Sequence, residues 1–429
     1  MMSEKKPREL YKEREKRISD AISLKEPDRV PITPMSTFYH TVQFGITKKE
    51  AMYNPEKLVQ AAMEVYGRYD WDEIPSYTIQ NGSSLDAMGV NFFKWPGAAN
   101  ENQNLKENEP FQWVEKEYMK ADEYEQFFSD PTGFLIRTIL PRHYSSLQQF
   151  SEFPNIAGLS MAYFSVINLP YFFGSPPTLK MLESIKKGLD SVLERIKATT
   201  TYKKYFKKLG FPVAKYNSSF TPFDIISDSL RGMRGSMLDM YRRPEDLKKM
   251  TNMLISPTIE LSELILKVIP DTKIVFMPLH RGADGFMSNK QFEEFYWPSL
   301  TKVWEGLISI GLIPMPFFEG SYNERLEYLA EFAQNHKGKV IYYFDQTDII
   351  KAKETFGDHA CIRGNVPASL LIAGTPSQVE AYVKKCIEGC AEGGGYLVDG
   401  GVVGIPDEAK HENVAAMTDA VHKFGVYRK

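Results

Sequence analysis

The C-terminal part of the chain constrains the fold most, because from Lys273 onward five short apolar runs each end in polar residues and each precedes a helical pattern. KIVFMPLH precedes NKQFEEFYWPSLTKVWEGLISIG; PMPFFEG precedes NERLEYLAEFAQ; KVIYYFDQ precedes TDIIKAKETFG; CIRGNVP precedes TPSQVEAYVKKCIEGCA; GYLVDGG precedes DEAKHENVAAMTDAVHKFG. Parallel strands cannot be joined by a tight turn, so repeated strand-helix units predict a parallel sheet with helical crossovers. An α/β fold follows, and of its two forms, a (β/α)8 barrel of TIM type and a doubly wound open sheet, the barrel is the reading adopted.

Upstream the units are less regular. Residues 1–25 read as a charged N-terminal helical extension that LKEPDR breaks, and residues 26–429 read as one barrel. A first strand is expected at Val30 to Thr33, then a helix over KKEAMYNPEKLVQAAMEVYGRY and a second strand around WDEIPSY. From about 81 to 155 the chain is rich in Asn, Pro, Gly and aromatic residues, which suits an insertion over the C-terminal face of the strands. INLPYFFGSPPTLKML has the same character, and the segment after it is a long amphipathic helix leading to FPVAKYNSS as a strand.

Fifty-two Lys and Arg against 55 Asp and Glu leave a formal charge of -3, so no basic field recruits nucleic acid or an anionic membrane. The N-terminus is charged without an apolar segment, and no apolar run is long enough to span a bilayer; a cytoplasmic location is expected. Three cysteines exclude a disulfide framework, and Cys386 and Cys390, four apart on a helix, suit core thiols better than a metal pair.

In a barrel the reactive groups sit where strands end. That rule nominates His280 with Arg281, Glu319, Asp345 with Gln346, Arg363 with Asn365, and Asp399, while His40, Tyr77, Asn217 and Asp224 are expected at the same mouth from the earlier units. Taken singly, each is more often a hydrogen-bonded loop residue. Together His280, Glu319 and Asp345 end three successive strands, a set able to act as general acid and base or to hold a metal ion. Arg363 is able to grip a substrate carboxylate or to brace a neighbouring acid. His40, Tyr77, Asn217, Asp224, Arg363 and Asn365 are the candidate substrate-binding residues. GGG at 393 to 395 lacks the strand-GxGxxG-helix order of a dinucleotide site.

EPDRVPITP, NPEKLVQAAMEVYGRYDWDEIP, FDIISDSLRGMRGSMLDMYRRPEDLKKM and, most specifically, IRGNVPASLLIAGTPSQVEAYVKKCIE with GGGYLVDGGVVGIPDEAKHENVAAMTDAV resemble the uroporphyrinogen decarboxylase superfamily in order along nearly the whole chain. The resemblance implies a TIM-type barrel, a cleft at the strand ends and a homodimer. It does not fix the reaction. The haem-pathway decarboxylases carry an arginine-rich N-terminal segment that grips the substrate carboxylates, where this chain reads PITPMSTFYH. The corrinoid-dependent methyltransferase branch holds zinc through a His-x-Cys pair and a later cysteine. Here Phe317 and Glu319 stand at the first place and VDGGVVGIP has no cysteine at the second, so a thiol-activating zinc site of that type is not expected, and any Zn2+ would fall to the strand-end set of His280, Glu319 and Asp345.

The methyltransferase branch pairs with a corrinoid protein, and His280, Glu319 and Asp345 suit the proton or Lewis acid that an oxygen leaving group needs; the leading reading is therefore a methyltransferase of O-demethylase type, moving a methyl group from a small-molecule donor, an aryl methyl ether above all, to a corrinoid carried by a partner protein. Two alternatives stand beside it: a decarboxylase or lyase acting on another substrate, and a non-catalytic module that binds a corrinoid protein.

Overall fold

The computed structural model describes residues 5–76 and 79–427. FPVAKYNSS and the five C-terminal runs form six neighbouring parallel strands in chain order: Tyr216–Ser218, Ile274–Leu279, Ile313–Phe318, Ile341–Phe344, Cys361–Arg363 and Tyr396–Leu397. Two short N-terminal segments complete the ring. Residues 30–33 lie beside the last strand, with Ile32 bridging Val398 in parallel and the Val398 amide donating to Pro31 O at 2.9 Å. Residues 72–74 take the other side: the Asp72 amide donates to Ile32 O at 2.9 Å, Ile74 bridges Val213 in parallel, and the Ala214 amide donates to Ile74 O at 2.9 Å. The strands thus close as a (β/α)8 barrel of TIM type, and the open-sheet alternative falls away.

Alternation along the strands decides what each residue faces. Met315, Phe317, Ile341, Tyr343, Cys361 and Leu397 form the barrel interior, with Tyr216, Ile274 and Phe276 against them. Their neighbours Val275, Met277, Leu279, Phe318, Tyr342, Phe344 and Ile362 pack outward in the larger core against the helices. The N-terminal helix Pro7–Ile22 ends in Ala21 and Ile22, which with Leu24 just beyond it join the interior cluster and close the barrel floor.

The expected helix after the first strand is broken in two, Lys48–Tyr53 and Pro55–Tyr66. The cause is local: Asn54 is extended and its side chain caps the second helix by accepting from the Lys57 amide, while Pro55 occupies a first-turn position. The aromatic stretch near 93–113 makes a small three-stranded sheet, Phe93–Pro96 with Asn104–Leu105 and Gln112–Trp113. Ala162–Phe173 and Pro176–Leu209 are helices joined by a short turn. Cys361, Cys386 and Cys390 are free and buried, and burial raises the Cys386 thiol to about 11, as suits core thiols.

One carboxylate ties the first two strands to the N-terminal helix. Asp72, fully buried, accepts from the Ile32 amide at 2.8 Å and from both terminal nitrogens of Arg29, at 2.7 and 3.0 Å, and also pairs with Arg17. Asp72→Ala leaves two nearly buried guanidinium groups without their shared partner, and a loss of about 3–5 kcal/mol is expected. Urea denaturation measures it, and an unchanged midpoint would show that the barrel closes without this hub.

Candidate active site

The inward phase of the strands continues past their ends. His280 follows Ile274 and Phe276 at even spacing, Glu319 follows Met315 and Phe317, and Asp345 follows Ile341 and Tyr343, so all three point to the barrel axis at its C-terminal mouth. They line one cavity of about 870 Å³. Phe93 and Trp113 of the small inserted sheet form part of its wall together with Phe111 and Phe220, and Phe317 also lines it.

The helix Pro222–Ser229 supplies what organises this mouth. Asp224 and Asp228 lie one turn apart on it and therefore share a face. Fully buried Asp224 accepts from the backbone amides of His280 at 3.0 Å and Arg281 at 3.1 Å and from the Tyr296 hydroxyl at 2.8 Å, fixing the end of the strand Ile274–Leu279. Burial and the charge of Asp228 push the Asp224 carboxyl upward against these donors. Asp228 accepts from His280 Nδ1 at 2.6 Å and from Arg281 at 3.0 Å. The far nitrogen, Nε2, lies 3.6 Å from Glu319. Burial draws the His280 pKa down, but the Asp228 hydrogen bond and the charges of Asp224, Asp228 and Glu319 outweigh it and raise the pKa to about 9. An imidazolium at neutral pH results, with Nδ1 committed and Nε2 turned toward Glu319. Arg281 is spent on Asp228, Ser227 and Glu115.

Asp345 accepts from the Gly320 amide at 3.0 Å, and burial raises its pKa. Among the described residues no group of three or more His, Cys, Asp or Glu side chains is gathered to hold a metal ion. His280, Glu319 and Asp345 share the cavity without forming such a set.

Of the expected substrate-binding residues among those described, Asp224 alone lines this cavity, and its oxygens are occupied by the donors just described. His40 is buried on the helix Tyr39–Phe44, bonded through Nδ1 to Tyr66 at 2.7 Å, and burial lowers its pKa to about 3; it is a neutral core residue. Asn217 is out of phase with inward Tyr216 and faces the surrounding helices, donating to Ser262 O at 2.8 Å. Arg363 does point inward, yet it is 1% exposed and braces Asp399 at 2.9 Å and the Tyr216 hydroxyl at 3.0 Å beneath the mouth. Asn365 lines an adjoining cavity of about 520 Å³ and spends its amide on Asp345 O and Thr347 O. Tyr77 lies outside the described residues. The sequence reading passed over Asp228, although its spacing from Asp224 on a helix entering the mouth was visible.

The profile of the uroporphyrinogen decarboxylase (URO-D) family matches residues 158–424. A curated relative, the uroporphyrinogen decarboxylase of Methylococcus capsulatus, is 32% identical over 114 residues; the match spans 27% of this chain and 31% of that protein's own length. Among solved structures, a methyltransferase from Methanosarcina mazei superposes with a TM-score of 0.61 at 17% identity, covering 96% of this chain and 98% of that one. That likeness carries the fold.

Because the His280 pKa lies above the 6.5 of a free imidazole, the stability its ion pairs contribute is complete below about 6.5 and is lost as pH rises through about 9. In a chain labelled with 15N histidine, the His280 ring should titrate near 9, and Asp228→Asn should bring it back toward the free value. A ring that titrates near 6.5 in the unsubstituted protein would contradict the clamp.

Proposed function

The chain belongs to the uroporphyrinogen decarboxylase family, and from that premise we propose that it is a methyltransferase that takes a methyl group from a methoxylated donor, an aryl methyl ether in the leading case, for the corrinoid of a partner protein. The observation that carries this reading is the His280 imidazole, held between Asp228 and Glu319 in an aromatic-walled cavity. Breaking an O–CH3 bond leaves an oxygen anion, a poor leaving group until it receives a proton or a hydrogen bond. A charged imidazole supplies both.

What a corrinoid supplies when its carrier presents it is the nucleophile that accepts the methyl group. Everything else falls to the chain. The half-exposed rim of Trp113, Phe220 and Val402 suits an apolar macrocycle edge, and the aromatic wall receives the donor ring. As the carbon–oxygen bond breaks, His280 Nε2 gives its proton to the departing oxygen and a neutral phenol leaves. Asp228 holds the ring in place and keeps it charged beforehand; Asp224 holds the backbone that carries it; Glu319 balances the charge on the cavity side. Solvent then restores the proton.

For a substrate held by several carboxylates, the decarboxylase alternative finds little support in the cavity. A polycarboxylate substrate requires free cations, whereas Arg281 is already paired and Arg363 is buried below. The non-catalytic alternative leaves the three-acid clamp on one histidine without a use.

The test mixes the protein anaerobically with a cobalt(I) corrinoid protein and a panel of methoxylated aromatics while the ultraviolet-visible spectrum is followed. The spectrum of the methylated corrinoid should appear with at least one donor. His280→Ala should slow it by about 10²–10⁴-fold with the fold intact, and Glu319→Ala should also slow it. Near-normal rates in both variants would remove these residues from the mechanism, and no spectral change with any donor would remove the reaction.

A further inference from the structure

From Phe153 to Leu179 the chain carries no charged residue. The helix Ala162–Phe173 within this run has no buried residue at all. Met161, Tyr163, Phe164, Val166, Ile167 and Tyr171 are between 60% and 81% exposed. A helix that is apolar all round belongs in an interior. Its packing is mainly on the long helix that follows and on the short turn Ile156–Leu159 before it. Residues of this size present an apolar face on the order of 1,000 Å², against about 300–600 Å² for the largest patch of an ordinary monomer and about 800 Å² per partner in a stable complex.

The long helix Pro176–Leu209 carries a second, independent signal. Leu179, Leu182, Leu189, Leu193 and Ile196 fall on the a and d positions of a heptad, with Lys186 the one interruption, and each is between 44% and 53% exposed. Such a stripe is the seam of a helix pair, and no helix among the described residues covers it.

We propose that the two helices are half of a four-helix bundle completed by a second copy of this chain about a two-fold axis. The area suffices for a stable dimer, and the heptad seam is complementary to itself across a two-fold. With no charge along the apolar run, nothing there selects a partner of opposite charge. No helix among the described residues is long and apolar enough to cross a membrane.

Sedimentation equilibrium at micromolar concentration decides the matter. The protein should sediment at twice its 49.1 kDa. Leu189→Glu combined with Leu193→Glu should weaken the dimer by more than about 100-fold and yield a folded monomer by far-ultraviolet circular dichroism, while Leu189→Ala should weaken it less. Leu261→Glu combined with Leu264→Glu, on a separate exposed stripe, should leave the dimer intact. Three outcomes would overturn the bundle: a dimer that survives the paired substitutions at Leu189 and Leu193, a dimer lost on changing the Leu261 stripe instead, or a monomeric protein, including one that floats with phosphatidylcholine vesicles and so uses the hairpin on a lipid surface.

Discussion

Closure of the barrel rests on two very short segments. The six strands from Tyr216 onward pair along their length, whereas 30–33 and 72–74 hold their neighbours through a few backbone bonds around Ile32 and Ile74. So few bonds would not fix the register alone. Asp72 supplies the missing constraint by tying the Ile32 amide, Arg29 and Arg17 to one buried carboxylate. Because side chains alternate along a strand, the register set there determines which residues of the ring face the axis.

The mouth uses two aspartates from one helix for different tasks. Asp224 is buried, and its acceptors are filled by backbone and tyrosine donors; its work is to hold the end of the strand Ile274–Leu279. Asp228 is partly open and meets the imidazole itself. If both carboxylates bonded the ring, neither would hold the backbone that carries it. Since one fixes the backbone and the other the side chain, the direction of Nε2 toward the cavity follows from a rigid frame.

Much of this was legible in the sequence, for a physical reason. The strand-helix alternation of the C-terminal half is a periodicity, and periodicity survives without coordinates; His280, Glu319 and Asp345 were placed at the mouth because they continue it. Asn217 was misread because the strand end was taken without its phase: counted from Tyr216, it points outward. His40 was misread because the chain turns into a helix right after the first strand, carrying the imidazole into the core beside Tyr66. Arg363 was placed at the right strand end but not at its depth, which depends on how far each neighbouring strand extends. The aromatic wall from Phe93 to Trp113 was visible as composition, while its contact with the mouth is a tertiary fact that no local pattern encodes.

Below the cavity the barrel is filled in part by charge, where aliphatic layers are usual. Arg363 joins Asp399 and the Tyr216 hydroxyl, Tyr216 donates to Glu73 at 2.6 Å, and Tyr343 donates to Asp399 at 2.8 Å. Ions withdrawn from water this far rarely add net stability, since desolvation offsets their attraction. Their geometric effect is different: each bond has a direction, so the network fixes Tyr343, whose ring packs 4.7 Å from that of Phe317 at the cavity floor. An aliphatic layer of equal volume could repack in several ways, whereas this one holds its rings in a single arrangement. The position of the cavity floor relative to His280 is thereby set from below, as Asp224 sets it from the side.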